Sequence, residues 1–218
     1  MTAHPFHRAD FATTAAEWRQ LPRDGAPEVA FAGRSNSGKS SAINVLTQRK
    51  RLAYVSRTPG RTQHINFFRL PSGALLADLP GYGYAAVPAA MQRQWRGFLA
   101  RYLTERSTLV GLVLVMDARH PLTELDLRML GWFVPTGRPV HALLTKADKL
   151  SPAEQRRALR EARSVIERDF GDAQVSIQLF SAEAHIGIPE AENAVGAWLA
   201  VHAPIAAAQK ERPRHQGE

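Results

Sequence analysis

Glu28-Val29-Ala30-Phe31-Ala32-Gly33-Arg34-Ser35-Asn36-Ser37-Gly38-Lys39-Ser40 is the stretch that decides the fold. It opens as a short, mostly apolar strand that closes on a glycine. A helical pattern follows over 39–48. Between the two, Gly33-Arg34-Ser35-Asn36-Ser37-Gly38-Lys39-Ser40 matches G-x-x-x-x-G-K-[ST] in the context that pattern needs, after a strand and at the start of a helix. Glycines let the backbone wrap closely, so that successive N–H groups point at a phosphate. Lys39 supplies a cation for the outer phosphates, and Ser40 a hydroxyl for Mg²⁺. A serine-nucleophile elbow is excluded, because G-x-S-x-G would require glycine where Ser37 stands.

Outward from this cradle, strand and helix patterns alternate. Segments 63–70 and 74–78, split by Pro71-Ser72-Gly73, read as a hairpin. Segment 88–106 places Trp95, Phe98, Leu99, Tyr102 and Leu103 on one helical stripe, which marks core. Strands are expected over 109–117, 139–145 and 174–180. Helices are expected over 123–133, from Ser151-Pro152-Ala153-Glu154 onward, and over 188–201. Ser151 as cap, proline at the first position and glutamate three beyond the cap make a good helix opening. The alternation implies an α/β three-layer fold, with a mostly parallel six-stranded sheet and one antiparallel edge hairpin strand. Residues 1–25 read as an N-terminal extension packing on the domain at 26–205, and 206–218 as a basic, polar, disordered tail.

Composition narrows the class. With 218 residues and 44% apolar content, one domain with a substantial core is expected. There are no cysteines, which excludes a disulfide framework, a cysteine nucleophile and thiolate metal sites, and fits a cytoplasmic setting. The longest apolar run, 109–116, falls far short of the roughly 20 residues needed to span a bilayer, so no membrane partner is expected. Net charge is +8 and the pI about 10.4, which favours a polyanionic partner such as nucleic acid. Most of the basic residues are arginine, a bias that codon usage can produce by itself.

Four further motifs refine the chemistry. Asp78-Leu79-Pro80-Gly81 closes the hairpin, where a carboxylate can hold the magnesium shell through water and the Gly81 N–H can sense a terminal phosphate. Thr58-Pro59-Gly60-Arg61-Thr62-Gln63 lies between the first helix and the hairpin. A threonine here can give Mg²⁺ a second hydroxyl when a γ-phosphate is present, and both Thr58 and Thr62 qualify. Thr145-Lys146-Ala147-Asp148 ends a strand. Its aspartate can accept two hydrogen bonds from guanine, which adenine cannot offer, and the lysine stem can cover the base. Ser181-Ala182, just after the last strand, can give a backbone N–H to guanine O6. Rejection by unpaired polar groups of this kind reaches about 10⁴-fold or more. Each motif alone could be a turn or a surface ion pair. Their order makes that reading weak.

In this order the cradle, T-P-G-R-T-Q, D-L-P-G-Y-G, T-K-A-D-K and F-S-A resemble the EngB (YihA/YsxC) family of bacterial GTPases over about 28–199. The resemblance implies a Ras-like G domain that binds GTP and GDP and assists large (50S) ribosomal subunit assembly. A monomer working on subunit precursors of rRNA and ribosomal proteins is expected, together with a link to normal division septation. Carried over residue by residue, nucleotide contacts fall on the eight cradle residues and on Gly60, Arg61, Thr62, Gln63 and His64. They continue on Asp78, Leu79, Pro80 and Gly81, then Thr145, Lys146, Ala147 and Asp148, then Phe180, Ser181 and Ala182. The magnesium ligands become Ser40 and Thr62, which decides between the two threonines.

Two departures from the wider GTPase class matter. Thr145 stands where asparagine usually does. Tyr82 stands where Ras-like proteins place the glutamine that orients water, so slow intrinsic hydrolysis is expected. Lys39, Thr62 and Asn36 are the candidate catalytic residues, Asn36 as a K⁺ holder or else a plain turn residue. Arg49-Lys50-Arg51, Arg57 and Arg61 form a candidate RNA-facing patch. Arg156, Arg157, Arg160 and Arg163, interspersed with Glu154, Glu161 and Glu167, read as a salt-bridged face. Two competing readings remain: a kinase or ATPase, which the guanine motifs and the lack of an acceptor domain oppose, and a GTP/GDP-sensing module without significant hydrolysis.

Overall fold

The computed structural model describes residues 6–53, 64–82 and 89–202, with backbone alone over 89–96. In chain order the elements are β1 (Asp10–Ala15), β2 (Glu28–Gly33), α1 (Lys39–Leu46), β3 (Ile65–Arg69), β4 (Leu75–Asp78), α2 (Ala89–Glu105), β5 (Leu109–Asp117), α3 (Glu124–Phe133), β6 (Val140–Thr145), α4 (Pro152–Phe170), β7 (Val175–Leu179) and α5 (Ile188–Val201). The strand order is β1-β3-β4-β2-β5-β6-β7. β2 is parallel to β4 and β5, and β5–β6 and β6–β7 are parallel pairs; β3 is antiparallel to both β1 and β4. The α/β fold is therefore as expected, but among the described residues the sheet has seven strands, not six. The extra strand comes from the expected N-terminal extension. β1 occupies the edge, so β3, the one reversed strand, lies inside the sheet.

The side-chain period of two divides the core. Ala30 and Ala32 of β2, with Leu112 and Leu114 of β5, face Leu99, Tyr102 and Leu103 of α2, Met129 and Leu130 of α3, and Ala162 and Ile166 of α4. Val29 and Phe31, with Val113 and Val115, face Ile43 and Leu46 of α1 and Val195 and Leu199 of α5. Every residue of β2 is buried, because helices cover both faces of this central strand. The expected stripe on α2 is confirmed at Leu99, Tyr102 and Leu103, with Phe98 partly buried; Trp95 falls among the side chains outside the described residues.

Cap chemistry sets the helix starts. α4 opens on Ser151, which accepts from the Glu154 N–H at 3.4 Å while Glu154 accepts from the Ser151 N–H at 2.8 Å. α3 opens on Thr123, whose N–H and hydroxyl both donate to Asp126 at 2.9 and 2.6 Å. No helix among the described residues is long and apolar enough to cross a membrane.

Candidate nucleotide site

β2 ends at the middle of the sheet, and the loop over 34–38 carries the chain from it into α1. Two glycines are required there. A Cβ on Gly33 would sit 2.5 Å from the Val115 carbonyl oxygen. Gly38 has φ +95° and precedes the first helical residue, Lys39. Asn36 also takes a left-handed conformation, at φ +65°, which asparagine tolerates better than most residues. The turn is closed by the Ser37 N–H on the Arg34 carbonyl at 3.0 Å. Ser37 is buried, and its hydroxyl oxygen has no hydrogen-bond partner among the described residues.

Opposite the cradle, Asp78 ends β4. Its carboxylate pairs with the Lys39 ammonium, and both side chains are largely buried. The residues assigned to phosphate and to the magnesium shell thus meet. Ser40 lies in the same first turn of α1. Leu79 is buried and Gly81 exposed, and the Leu79 N–H donates to the Phe31 carbonyl at 3.0 Å. Beyond Gly81, the Tyr82 hydroxyl donates to Asp126 at 2.7 Å. Burial, then the Asp126 carboxylate, push the Tyr82 phenol far above its ordinary range.

At the base end, Asp148 lies in a single turn after β6. It accepts from the Ser181 hydroxyl at 2.5 Å, and Lys149 stands 3.0 Å from its other oxygen. The Ser181 hydrogen bond is the main reason its carboxyl sits below the usual range. The Ala147 N–H donates to the Phe180 carbonyl at 3.1 Å, which joins the two loops. Ser181 exchanges both backbone hydrogen bonds with Ile186 at 3.0 Å. The expected N–H for a base oxygen is therefore narrowed: the Ser181 N–H is taken, which leaves that of Ala182.

Thr145 and Lys146 link the two ends. The buried Thr145 hydroxyl faces the Ser37 carbonyl of the cradle and the Met116 carbonyl of β5. Its side chain therefore clamps the backbone under the site. Lys146, at φ +57°, reaches the Asn36 carbonyl at 2.7 Å and Asp117 at 2.9 Å. Its stem thus spans from the base strand to the cradle.

Sequence reading missed Asp117 and Asp126. Burial raises the Asp117 pKa, but hydrogen bonds from Arg119 and Lys146 outweigh it and hold the carboxyl well below the ordinary range. The available signal was a lone carboxylate ending an apolar strand, with arginine two residues on. Asp126 could not be read as a partner of Tyr82, 44 positions away. His64 is exposed just before β3; Gly60, Arg61, Thr62 and Gln63 lie outside the described residues.

The loops expected to hold phosphate and base are thus brought together and joined by Thr145 and Lys146. Residues 28–146 match the family described as a 50S ribosome-binding GTPase. The chain is 56% identical over 210 residues to the probable GTP-binding protein EngB of Thiobacillus denitrificans, covering 94% of this chain and 100% of that one. It belongs to the EngB family of GTP-binding proteins. A second EngB, of Dechloromonas aromatica, is 54% identical over 195 residues, covering 89% of this chain and 88% of the relative. A crystal structure of a probable GTP-binding protein EngB superposes with TM-score 0.63 at 18% identity, covering 80% of this chain and 99% of the other. At that identity it supports the fold of the EngB chain alone. Membership makes the cradle that of a GTPase.

The basic stretches fare differently from expectation. Arg49 is committed to the Asp10 carboxylate and, at 3.0 Å, to the Ala9 carbonyl, so it fastens the N-terminal arm. Lys50 and Arg51 are exposed, while Arg57 and Arg61 are outside the described residues. On α4 the expected salt-bridged face is absent: among the described residues Arg156, Arg157, Arg160 and Arg163 are exposed and none is in an ion pair. Glu154 is turned back onto its own cap.

Proposed function

We propose that this EngB-family GTPase is a slow, nucleotide-dependent switch acting on precursors of the large ribosomal subunit. The observation that carries the reading is the joining of the guanine turn to the phosphate cradle. Thr145 and Lys146 each bridge from the base strand to the cradle backbone, at Ser37 and Asn36. A cradle for any phosphate needs no such link; one that must read base and phosphate together does.

In this reading the N–H groups of the cradle hold the phosphates and Lys39 moves from Asp78 to their outer oxygens. Asp148 reads the guanine edge and the Ala182 N–H its oxygen. Ser40 and Thr62 would hold Mg²⁺, with Asp78, once freed from Lys39, as a further carboxylate for its shell; hydroxyl and carboxylate are the hard oxygen donors that ion takes. The ion neutralises charge on the outer phosphates. Tyr82 supplies no amide to orient a water, which supports a low intrinsic rate. Asn36 is an exposed residue within the cradle, and K⁺ held by its side-chain oxygen would add the positive charge that an arginine finger supplies elsewhere, a contribution worth about 10³–10⁵ in rate.

Partner binding falls to α4. Arg156, Arg160 and Arg163 recur at i, i+4 and i+7 on one exposed face, free of ion pairs among the described residues, and suit the phosphates of rRNA. The deciding experiment is nucleotide competition with single-turnover hydrolysis, run with and without large subunits. GTP and GDP should compete and ATP should not, with hydrolysis accelerated by the particle. ATP competing as well as GTP ends this reading. A second reading, a GTP/GDP-sensing module, is favoured by Tyr82 alone, and no hydrolysis under either condition would select it. Equal turnover in KCl and NaCl, with Asn36→Ala unaltered, would remove K⁺.

A further inference from the structure

Tyr82 is held from both sides of its backbone and by its hydroxyl. Its N–H donates to the Gly33 carbonyl at 3.3 Å, and its carbonyl accepts the Ser35 N–H at 3.0 Å. This makes a parallel bridge between Arg34 and Tyr82, which extends the β2–β4 pairing into the cradle. The preceding residue, Gly81, lies on Ser35 so closely that a Cβ would come within 3.0 Å of the serine hydroxyl and 3.2 Å of its backbone nitrogen. One cradle N–H is therefore spent on the segment that should answer the terminal phosphate.

The hydroxyl is what ties this segment to a fixed point. It donates to one oxygen of the buried Asp126 at 2.7 Å; the other oxygen takes the Thr123 N–H and hydroxyl at 2.9 and 2.6 Å. Asp126 is thus anchored by the first turn of α3 and anchors Tyr82 in turn.

We infer that Asp126 is a positioning residue which, through Tyr82, holds the Gly81–Tyr82 segment on Ser35 and so sets the preference for GDP over GTP. This preference rests on the proposed switch and on Gly81 answering the terminal phosphate, as its motif leads one to expect. A diphosphate leaves this end of the cradle alone. A triphosphate must displace the segment from Ser35, and any bond that stabilises the closed arrangement lowers triphosphate affinity by its own worth. One hydrogen bond to a charged acceptor corresponds to about tenfold.

The test is titration of the full chain, with Mg²⁺, by GDP and by a non-hydrolysable GTP analogue. Tyr82→Phe keeps the ring, which packs against the core, and deletes only the bond. It should raise the affinity for the analogue relative to GDP by about tenfold. Asp126→Ala should move the ratio the same way. Thr123→Ala removes one of the two bonds that anchor Asp126 but leaves the Thr123 N–H and the Tyr82 bond, and should move the ratio by much less than Tyr82→Phe. A ratio that stays or falls in Tyr82→Phe, or that Thr123→Ala moves equally, overturns the inference. In a chain that still rejects ATP, that result sinks this inference alone; ATP binding as tightly as GTP sinks the guanine reading first.

Discussion

At the scale of single residues, Thr145 shows how a shorter side chain can do structural work that its class gives to asparagine. Its hydroxyl lies between two buried carbonyls, those of Ser37 and Met116. Replacement by valine keeps the shape and removes the donor, which costs about 1–3 kcal/mol for the unsatisfied acceptors. Thr145→Val should therefore lower the urea midpoint, and weaken GTP and GDP alike, since the cradle shifts under both. Selective loss of one nucleotide would contradict this. Asp117 offers a test of sign. Its folded pKa lies below the ordinary 3.8, so its bonds to Lys146 and Arg119 stabilise the fold above about that pH and are lost as pH falls further. Asp117→Asn should be less stable than wild type at neutral pH, and the gap should close on acidification below about pH 4, measured by denaturant unfolding across pH. A constant gap would show that the carboxylate charge is not what matters.

At the scale of elements, boundaries were legible wherever the chain carries punctuation. α5 over Ile188–Val201 and β5 over Leu109–Asp117 begin and end where patterning put them, because Pro189 and an unbroken apolar run mark them. β1 was not legible. Its register shifts between Phe11 and Thr13, and a bulge breaks the alternation by which an edge strand is read. Most of its side chains are also exposed, so no apolar face betrays it. α4 was legible as a helix but not as a surface: the sequence places acids and arginines within reach in principle, and only side-chain placement shows that they do not pair. Changing Arg156, Arg160 and Arg163 together to glutamate should weaken binding to large subunits. It should also flatten the dependence of log affinity on log salt, by up to about 0.7–0.9 for each phosphate that is no longer neutralised. Nucleotide affinity should stay put, because among the described residues none of the three arginines is bonded to the guanine turn, whereas their neighbour Gln155 is. An unchanged salt slope would place the rRNA-binding surface elsewhere.

At the scale of the molecule, what the sequence could not reveal is long-range closure. The order of motifs marked both ends of the nucleotide site, since each motif is local. The links between them, Lys146 to Asn36 across 110 positions and Thr145 to Ser37 across 108, depend on how the sheet brings strand ends together. The same holds for Glu28, fully buried at the opposite end of β2 from the cradle. It accepts from the Tyr102 hydroxyl at 2.7 Å, Thr108 at 2.7 Å and Arg106 Nε at 2.9 Å, while Arg106 also reaches the Pro22 carbonyl at 2.6 Å. One carboxylate thereby joins β2, α2, the start of β5 and the N-terminal arm. Burial and the Glu28 carboxylate drive the Tyr102 phenol well above its ordinary range, so it stays a donor at any working pH. Removing the cation strands the charge: Arg106→Met should destabilise by about 3–5 kcal/mol in urea unfolding. Adding Glu28→Gln to that variant removes the stranded charge and should restore a substantial part of the stability. A double variant no more stable than Arg106→Met would mean that the arginine acts through its stem and its bond to Pro22, and not through the buried pair.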